Sequence, residues 1–343
     1  MIAPDTPEAE TPDADTPGPD TPDADSPGPD TPGAETRGAG GTVELLNDAE
    51  RPGVWTLLID GILQSEVDLG NPRHLEIEYM RRLGHLADLA APAGVPLRVL
   101  HLGGGALTLA RYVAATRPGS RQLAVESDAT VAALVSERLP LTPPGRTPPG
   151  QTRPGQTRPG QTRPGQTRPG QTRPGQMWPG TGEIGILVDD ARAALEQLPA
   201  GSFDLLVVDV FAGARTPAHL TSVEFTVAGA RVLGPSGIYA VNVGDGPPLA
   251  HARGRVAAVR SVFAHACVLA EPPVLSGRRF GNLVVVASDR ELPVSGLIRR
   301  LAADPFPARL VEGTALDRFV AGCAPIVDTH ARPSPAMPPE VFA

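Results

Sequence analysis

The sequence predicts a doubly wound α/β domain with a small β unit ahead of it. Three observations point there. From Leu97 onward, short apolar runs alternate with stretches of helical period. The runs are continuously apolar, as in parallel strands covered on both faces. A triple-glycine turn, Gly103-Gly104-Gly105, joins the first of these runs to the first helix after it.

The β unit spans 42–69, where "VWTLLIDGILQSEVDL" reads as strands around an Asp60-Gly61 turn. "NPRHLEIEYMRRLGHLADLA" (71–90) reads as a helix leading into the main sheet. "LRVLHL" (97–102) is a strand, 106–117 a helix, "RQLAVE" (121–126) a second strand, and "ATVAALVSERL" (129–139) a helix. "IGILV" (184–188) and a helix at 191–198 follow, then "FDLLVV" (203–208), a helix near 219–233, and "GIYAVNV" (237–243). A helix at 249–264 precedes "ACVLA" (266–270) and "NLVVVAS" (282–288), close enough in sequence to form an antiparallel edge.

Two segments of the 343 residues do not read as domain material. Residues 1–41 are acidic, rich in proline and almost free of apolar side chains, with Arg37 as their one base. They cannot offset their ordering entropy and are expected to be a disordered tail. Residues 142–181 hold five tandem Gln-Thr-Arg-Pro-Gly units, which read as an extended insert. Its arginines lack interleaved aromatics, so it reads as a repeat tolerated in a surface loop, and no nucleic-acid partner is expected. The main domain is then 70–141 and 182–343.

The chain carries a net charge of −8, and without the basic insert and acidic tail the remainder stays mildly acidic. This argues against a polyanionic substrate and suits a cationic one. The two cysteines, Cys267 and Cys323, have no neighbours at metal or redox spacing and read as thiols in a reducing compartment. No apolar run is long enough for a membrane span and no secretory leader is recognisable, so a cytoplasmic protein without a membrane partner is expected.

In doubly wound sheets ligands bind beyond the carboxyl ends of the strands. Four segments arrive there. The glycine turn lets a ligand approach the backbone, although Thr108 stands where G-x-G-x-x-G has its third glycine. Glu126 ends the second strand about 20 residues later, where an acid accepts ribose hydroxyls. Asp189 and Asp190 end the third strand. One of them caps the following helix, and Asp190 is expected to face the ligand and accept from an adenine amino group. Asp209 ends the fourth strand, placed for the reacting group, with a helix cap as its competing role.

Absences narrow the chemistry. The chain has no lysine, which excludes Walker-type phosphate binding and Schiff-base chemistry. There is no G-x-S-x-G elbow, and the seven histidines have no metal-ligand spacing, so no metal is expected. A nucleoside without phosphate, held by glycines and acids, fits S-adenosylmethionine or its decarboxylated form better than NAD.

These motifs resemble the spermidine synthase (polyamine aminopropyltransferase) family, and its spermidine-synthase-like branch of high-GC bacteria. The resemblance covers about 43–342, interrupted by the insert, and rests on "LIDGILQS", "LHLGGGALTLARYV", "AVESD", "VDDAR" and "DLLVVDVFAGARTPAHL" in order. It implies a methyltransferase-type Rossmann-like sheet of about seven strands with an N-terminal β domain. By position, Gln64 would contact the sulfonium ligand, Glu126 its ribose and Asp190 its adenine. Asp209 would orient, or take a proton from, the attacking amine. The family reaction is displacement by an amine nitrogen at the aminopropyl carbon, with methylthioadenosine leaving. A small-molecule amine acceptor and a homodimer are expected.

The sequence also departs from the family. Ala106 follows the glycines where an aspartate usually stands, Ala212 replaces the second acid of D-S-S-D, and Glu76 and Glu78 blur the Tyr-x-Glu pattern. Each lost charge-assisted contact removes about 1.5–3 kcal/mol, enough for two to erase polyamine affinity. The leading expectation is an aminopropyltransferase-like enzyme with an altered amine site. A methyltransferase on another acceptor and a non-catalytic adenosyl-binding protein are the alternatives.

Overall fold

A computed structural model describes residues 33–141, 183–336 and 338. Residues 1–32 and 142–182, which include most of the expected tail and the whole repeat insert, lie outside the described residues.

The chain begins with an antiparallel four-stranded sheet, in order β1 (Gly33–Gly38), β2 (Gly41–Asn47), β3 (Val54–Ile59) and β4 (Ile62–Asp68). The tail assigned to 1–41 therefore ends earlier than composition implies, because 33–38 form β1. Its residues alternate between exposed and half-buried, β2 pairs with it along its length, and Ala34 is its one apolar side chain packed on the small-sheet core. Such a strand needs little apolar content, and composition does not reveal it. Asp60 and Gly61 both take positive φ in the β3–β4 turn, as that dipeptide predicts.

Helix α1 (Glu78–Leu89) starts seven residues later than its sequence window. Asp68 Oδ1 accepts from Gly70 N and Asn71 N, so the chain turns there, and Pro72 follows. The domain then runs β5 (Arg98–Leu102), α2 (Thr108–Thr116), β6 (Arg121–Glu126), α3 (Ala129–Arg138), β7 (Ile184–Val188), α4 (Ala191–Gln197) and β8 (Phe203–Val208). It continues α5 (Val223–Val232), β9 (Leu233–Asp245), α6 (Ala250–Arg260), β10 (His265–Ala270), α7 (Pro272–Leu275), β11 (Gly281–Ser288), α8 (Val294–Ala303), β12 (Arg309–Val311) and α9 (Gly313–Val320).

The eight strands lie in the order β12-β10-β11-β9-β8-β5-β6-β7. Strands β7, β6, β5, β8 and β9 are parallel, while β11, β10 and β12 add an antiparallel edge. The expected antiparallel pair at the end is present, and β11 also joins the parallel part through β9. One face packs its apolar residues with α4, α5, α6 and α9, the other with α1, α2 and α8, and the small sheet packs on α2 and α3. From β5 the chain steps one way to β6 and the other way to β8. The crevice of this switch point opens at the carboxyl ends of β5 and β8. Among the described residues no helix is long and apolar enough to cross a membrane.

Two histidines tie stability to pH. Burial holds His101 and His251 at about 4, below their ordinary 6.5. Between those values the unfolded chain binds protons that the folded chain refuses, so stability present above pH 6.5 is lost on acidification towards 4. Each pH step of one across this range is worth about 1.4 kcal/mol per histidine, so the two together lose up to about 7 kcal/mol. Denaturant midpoints falling across this range would check it; midpoints flat from pH 6.5 to 4 would contradict it.

Candidate active site

Each wall of the crevice follows from a local feature of the chain. Gly103 has φ 95°, and a Cβ there would stand 2.0 Å from the Asp209 carbonyl oxygen, so only glycine lets the ends of β5 and β8 touch. Gly104 N and Gly105 N donate to Glu126 Oε2 at 3.0 and 3.3 Å, and Asp128 N donates to Oε1 at 2.9 Å. The carboxylate is held beside the turn with lone pairs to spare.

Thr108, in the place of a third glycine, has a task of its own. Its hydroxyl donates to the Glu66 carbonyl at 2.9 Å and lies 2.9 Å from Ser65 Oγ, tying β4 to the start of α2. This tie places Gln64 in the cleft lining, where its Nε2 donates to Ile62 O at 3.3 Å.

The acids after β7 divide their work differently from the expectation that Asp190 is free to face the ligand. Asp190 is the one that caps α4, accepting from Arg192 N at 2.9 Å and Ala193 N at 3.1 Å. Its Oδ2 lies 2.8 Å from His219 Nε2. Burial works against its charged form, but the bonds from His219, Ala193 and Arg192 outweigh it and hold the carboxyl below the usual range. Asp190 still lines the cleft beside Asp189, so capping and facing the cleft coexist.

Asp209 does not cap a helix. Its side chain is half-buried; Oδ2 accepts from the Tyr79 hydroxyl at 3.1 Å, and Oδ1 from Asn242 Nδ2 at 3.0 Å. Burial pushes its carboxyl above the usual range, and the two bonds only partly offset that. Burial and the neighbouring Asp209 push the Tyr79 phenol well up, so it remains a neutral donor. Sequence reasoning missed both partners. Asn242 had a signal, as the one amide in the apolar run "GIYAVNV"; its Oδ1 is buried without a partner. Tyr79 supplies the tyrosine of the Tyr-x-Glu pattern, but Arg81 stands two residues on and pairs with Asp304 at 2.9 Å.

Among the described residues, the charged side chains lining the cleft are Glu126, Asp189, Asp190 and Asp209, with no arginine. Such a cleft favours a cation. Ala106 is fully buried in the packing of the small sheet, and Ala212 lines the cleft. Among the described residues no group of histidines, cysteines and acids is arranged to hold a metal ion.

A solved structure with this architecture, a probable spermidine synthase from Corynebacterium glutamicum, is 32% identical with a TM-score of 0.69. The match covers 86% of this chain and 95% of that one. The chain belongs to the spermidine synthase family. Two more distant members share the fold. A spermidine synthase in complex with the transition state analogue AdoDATO is 15% identical with a TM-score of 0.52, over 84% of each chain. The Thermotoga maritima spermidine synthase is 16% identical with a TM-score of 0.51, over 84% of this chain and 83% of that one. No protein-family model and no curated protein matches the chain.

Proposed function

We propose that this family member is an aminopropyltransferase-like enzyme that takes decarboxylated S-adenosylmethionine as co-substrate and an amine as acceptor. The observation that carries the reading is Asp209: a half-buried carboxylate, held by Tyr79 and Asn242, at the switch point of an acid-lined cleft. Glu126 accepts the ribose hydroxyls, Asp190 the adenine amino group, and Gln64 covers the sulfonium from β4. The amine nitrogen attacks the aminopropyl carbon, the carbon–sulfur bond breaks, and methylthioadenosine leaves with the electron pair. The nitrogen's proton passes to Asp209. Holding the two reactants in line and accepting that proton are the protein's contributions.

The acceptor end differs from a diamine site. Ala106 and Ala212 offer no charge, and the nearby acids are engaged elsewhere. Glu76 lies 2.8 Å from His74 at the surface. Glu78 accepts from Asn282 at 3.1 Å and neighbours Arg82 at 3.7 Å. Asp245 accepts from Gly246 N and Ala252 N, both at 2.8 Å. Spermidine formation from putrescine is therefore expected to be slow. Calorimetry with S-adenosylmethionine, its decarboxylated form and methylthioadenosine, followed by turnover with a panel of amines, tests the reading. Failure of all three to bind would end it.

Glu126→Gln keeps the shape but removes the charge and one acceptor oxygen. It is expected to weaken methylthioadenosine binding at least about five-fold without unfolding, since charge-assisted bonds to the ribose are lost. Unchanged affinity in the folded variant would place the ribose elsewhere.

A further inference from the structure

The floor of the cleft holds an acceptor that the transfer reaction does not use. His101 on β5 is 5% exposed and lines the cleft. In the parallel register it sits beside Val207 on β8, so it lies two residues below Gly103 on its own strand and two residues below the level of Asp209 on the next. Strand alternation gives it the face of Val99, which packs with Val207, Tyr79 and Leu109.

Its tautomer follows from its neighbours. His101 Nε2 is 2.9 Å from Gln122 Oε1, and Gln122 Nε2 donates to the Ala110 carbonyl at 2.8 Å. The second bond orients the amide, so Oε1 is an acceptor and His101 Nε2 must carry the proton. Nδ1 is then a bare lone pair. Among the described residues no side chain or backbone group donates to it, yet it is not one of the sealed atoms without partners, which are Arg82 Nε, Asn242 Oδ1, Arg253 Nε and Arg255 NH1. Burial also keeps the ring neutral at physiological pH. A neutral acceptor lining the same cleft as a carboxylate takes an N–H from a cation without repelling it.

We propose that His101 is a specificity residue whose Nδ1 accepts an N–H from a primary ammonium group lying beside Asp209. The inference rests on the transferase reading above. Two sources share this chemistry: the ammonium at the end of an aminopropyl group, and the ammonium of the acceptor.

The test is nitrogen NMR of the full chain with 15N-labelled histidine at neutral pH. The free protein should show His101 as the Nε2–H tautomer. Methylthioadenosine, which has no ammonium, should leave the Nδ1 resonance in place. Movement with decarboxylated S-adenosylmethionine assigns the aminopropyl ammonium; movement with methylthioadenosine plus putrescine assigns the acceptor. An Nδ1–H tautomer, movement with methylthioadenosine alone, or calorimetric binding of both ammonium ligands without movement would each overturn the inference and spare the transferase reading. Absence of all adenosyl binding would overturn both. His101→Leu should bind methylthioadenosine within about two-fold of the parent and the assigned ammonium ligand roughly ten-fold more weakly, the scale of one charge-assisted bond. Equal weakening of both ligands would mark a merely structural role and defeat the proposal.

Discussion

Asp209→Asn is expected to bind methylthioadenosine nearly as the parent does while losing about 10²–10⁴-fold in turnover with whichever amine proves active. An ammonium cannot attack carbon until it loses a proton, and Asp209 is the half-buried carboxylate at the switch point. Its carboxyl sits above the usual range because burial disfavours the charge. Turnover in the parent should therefore fall as pH drops through that raised value, and the asparagine variant should lose this acid limb. The sign for stability is opposite to that for rate. In the window between 3.8 and the raised value the folded state keeps a proton that the unfolded state has released, so this group's contribution falls as pH rises. At neutral pH the variant should consequently melt no lower than a few degrees below the parent. Rate profiles and melting curves decide it, and turnover left intact in Asp209→Asn would leave the assigned base without a role.

Gly103→Ala is expected to be the most damaging single methyl group in the crevice. The new Cβ would overlap a backbone oxygen, which cannot swing aside as a side chain can, and φ 95° strains any residue with a β-carbon. Separating β5 from β8 should cost at least about 2 kcal/mol, and the variant should lose methylthioadenosine binding because the Gly104 and Gly105 amides that hold Glu126 move with the turn. Urea denaturation and calorimetry measure the two effects. A variant with the parent's midpoint would show that the strands have slack at this contact.

The parallel strands, the glycine turn and the acids at strand ends were legible because each follows from a local rule: continuous apolar runs, turn chemistry, and charge that cannot sit inside a sheet. The remainder depends on partners distant in sequence. Strand β1 was hidden because it brings only Ala34 as an apolar side chain, too little for a periodic pattern to register. Strand β12 is only three residues long, and α8 and α9 follow the last strong apolar run. The role of Thr108 needs Ser65 and Glu66 from the small sheet, more than 40 residues earlier. That Asp190, rather than Asp189, caps α4 is a matter of side-chain direction, which two adjacent acids do not disclose. Tyr79 meets Asp209 across 130 residues, and no spacing rule reaches that far.

The hydroxyl tie between Thr108 and β4 has a kinetic consequence. It makes the hairpin and the glycine helix a single stiff jaw, for the hairpin cannot lift without stripping a buried hydroxyl of its acceptor. On the transferase reading, admission and release of the nucleoside would then fall to the 210–220 segment, which carries Phe211, Ala212, Pro217 and Leu220 along the cleft. Residence times of the bound nucleoside should respond to loosening that segment and stay indifferent to the length of the Asp60-Gly61 turn.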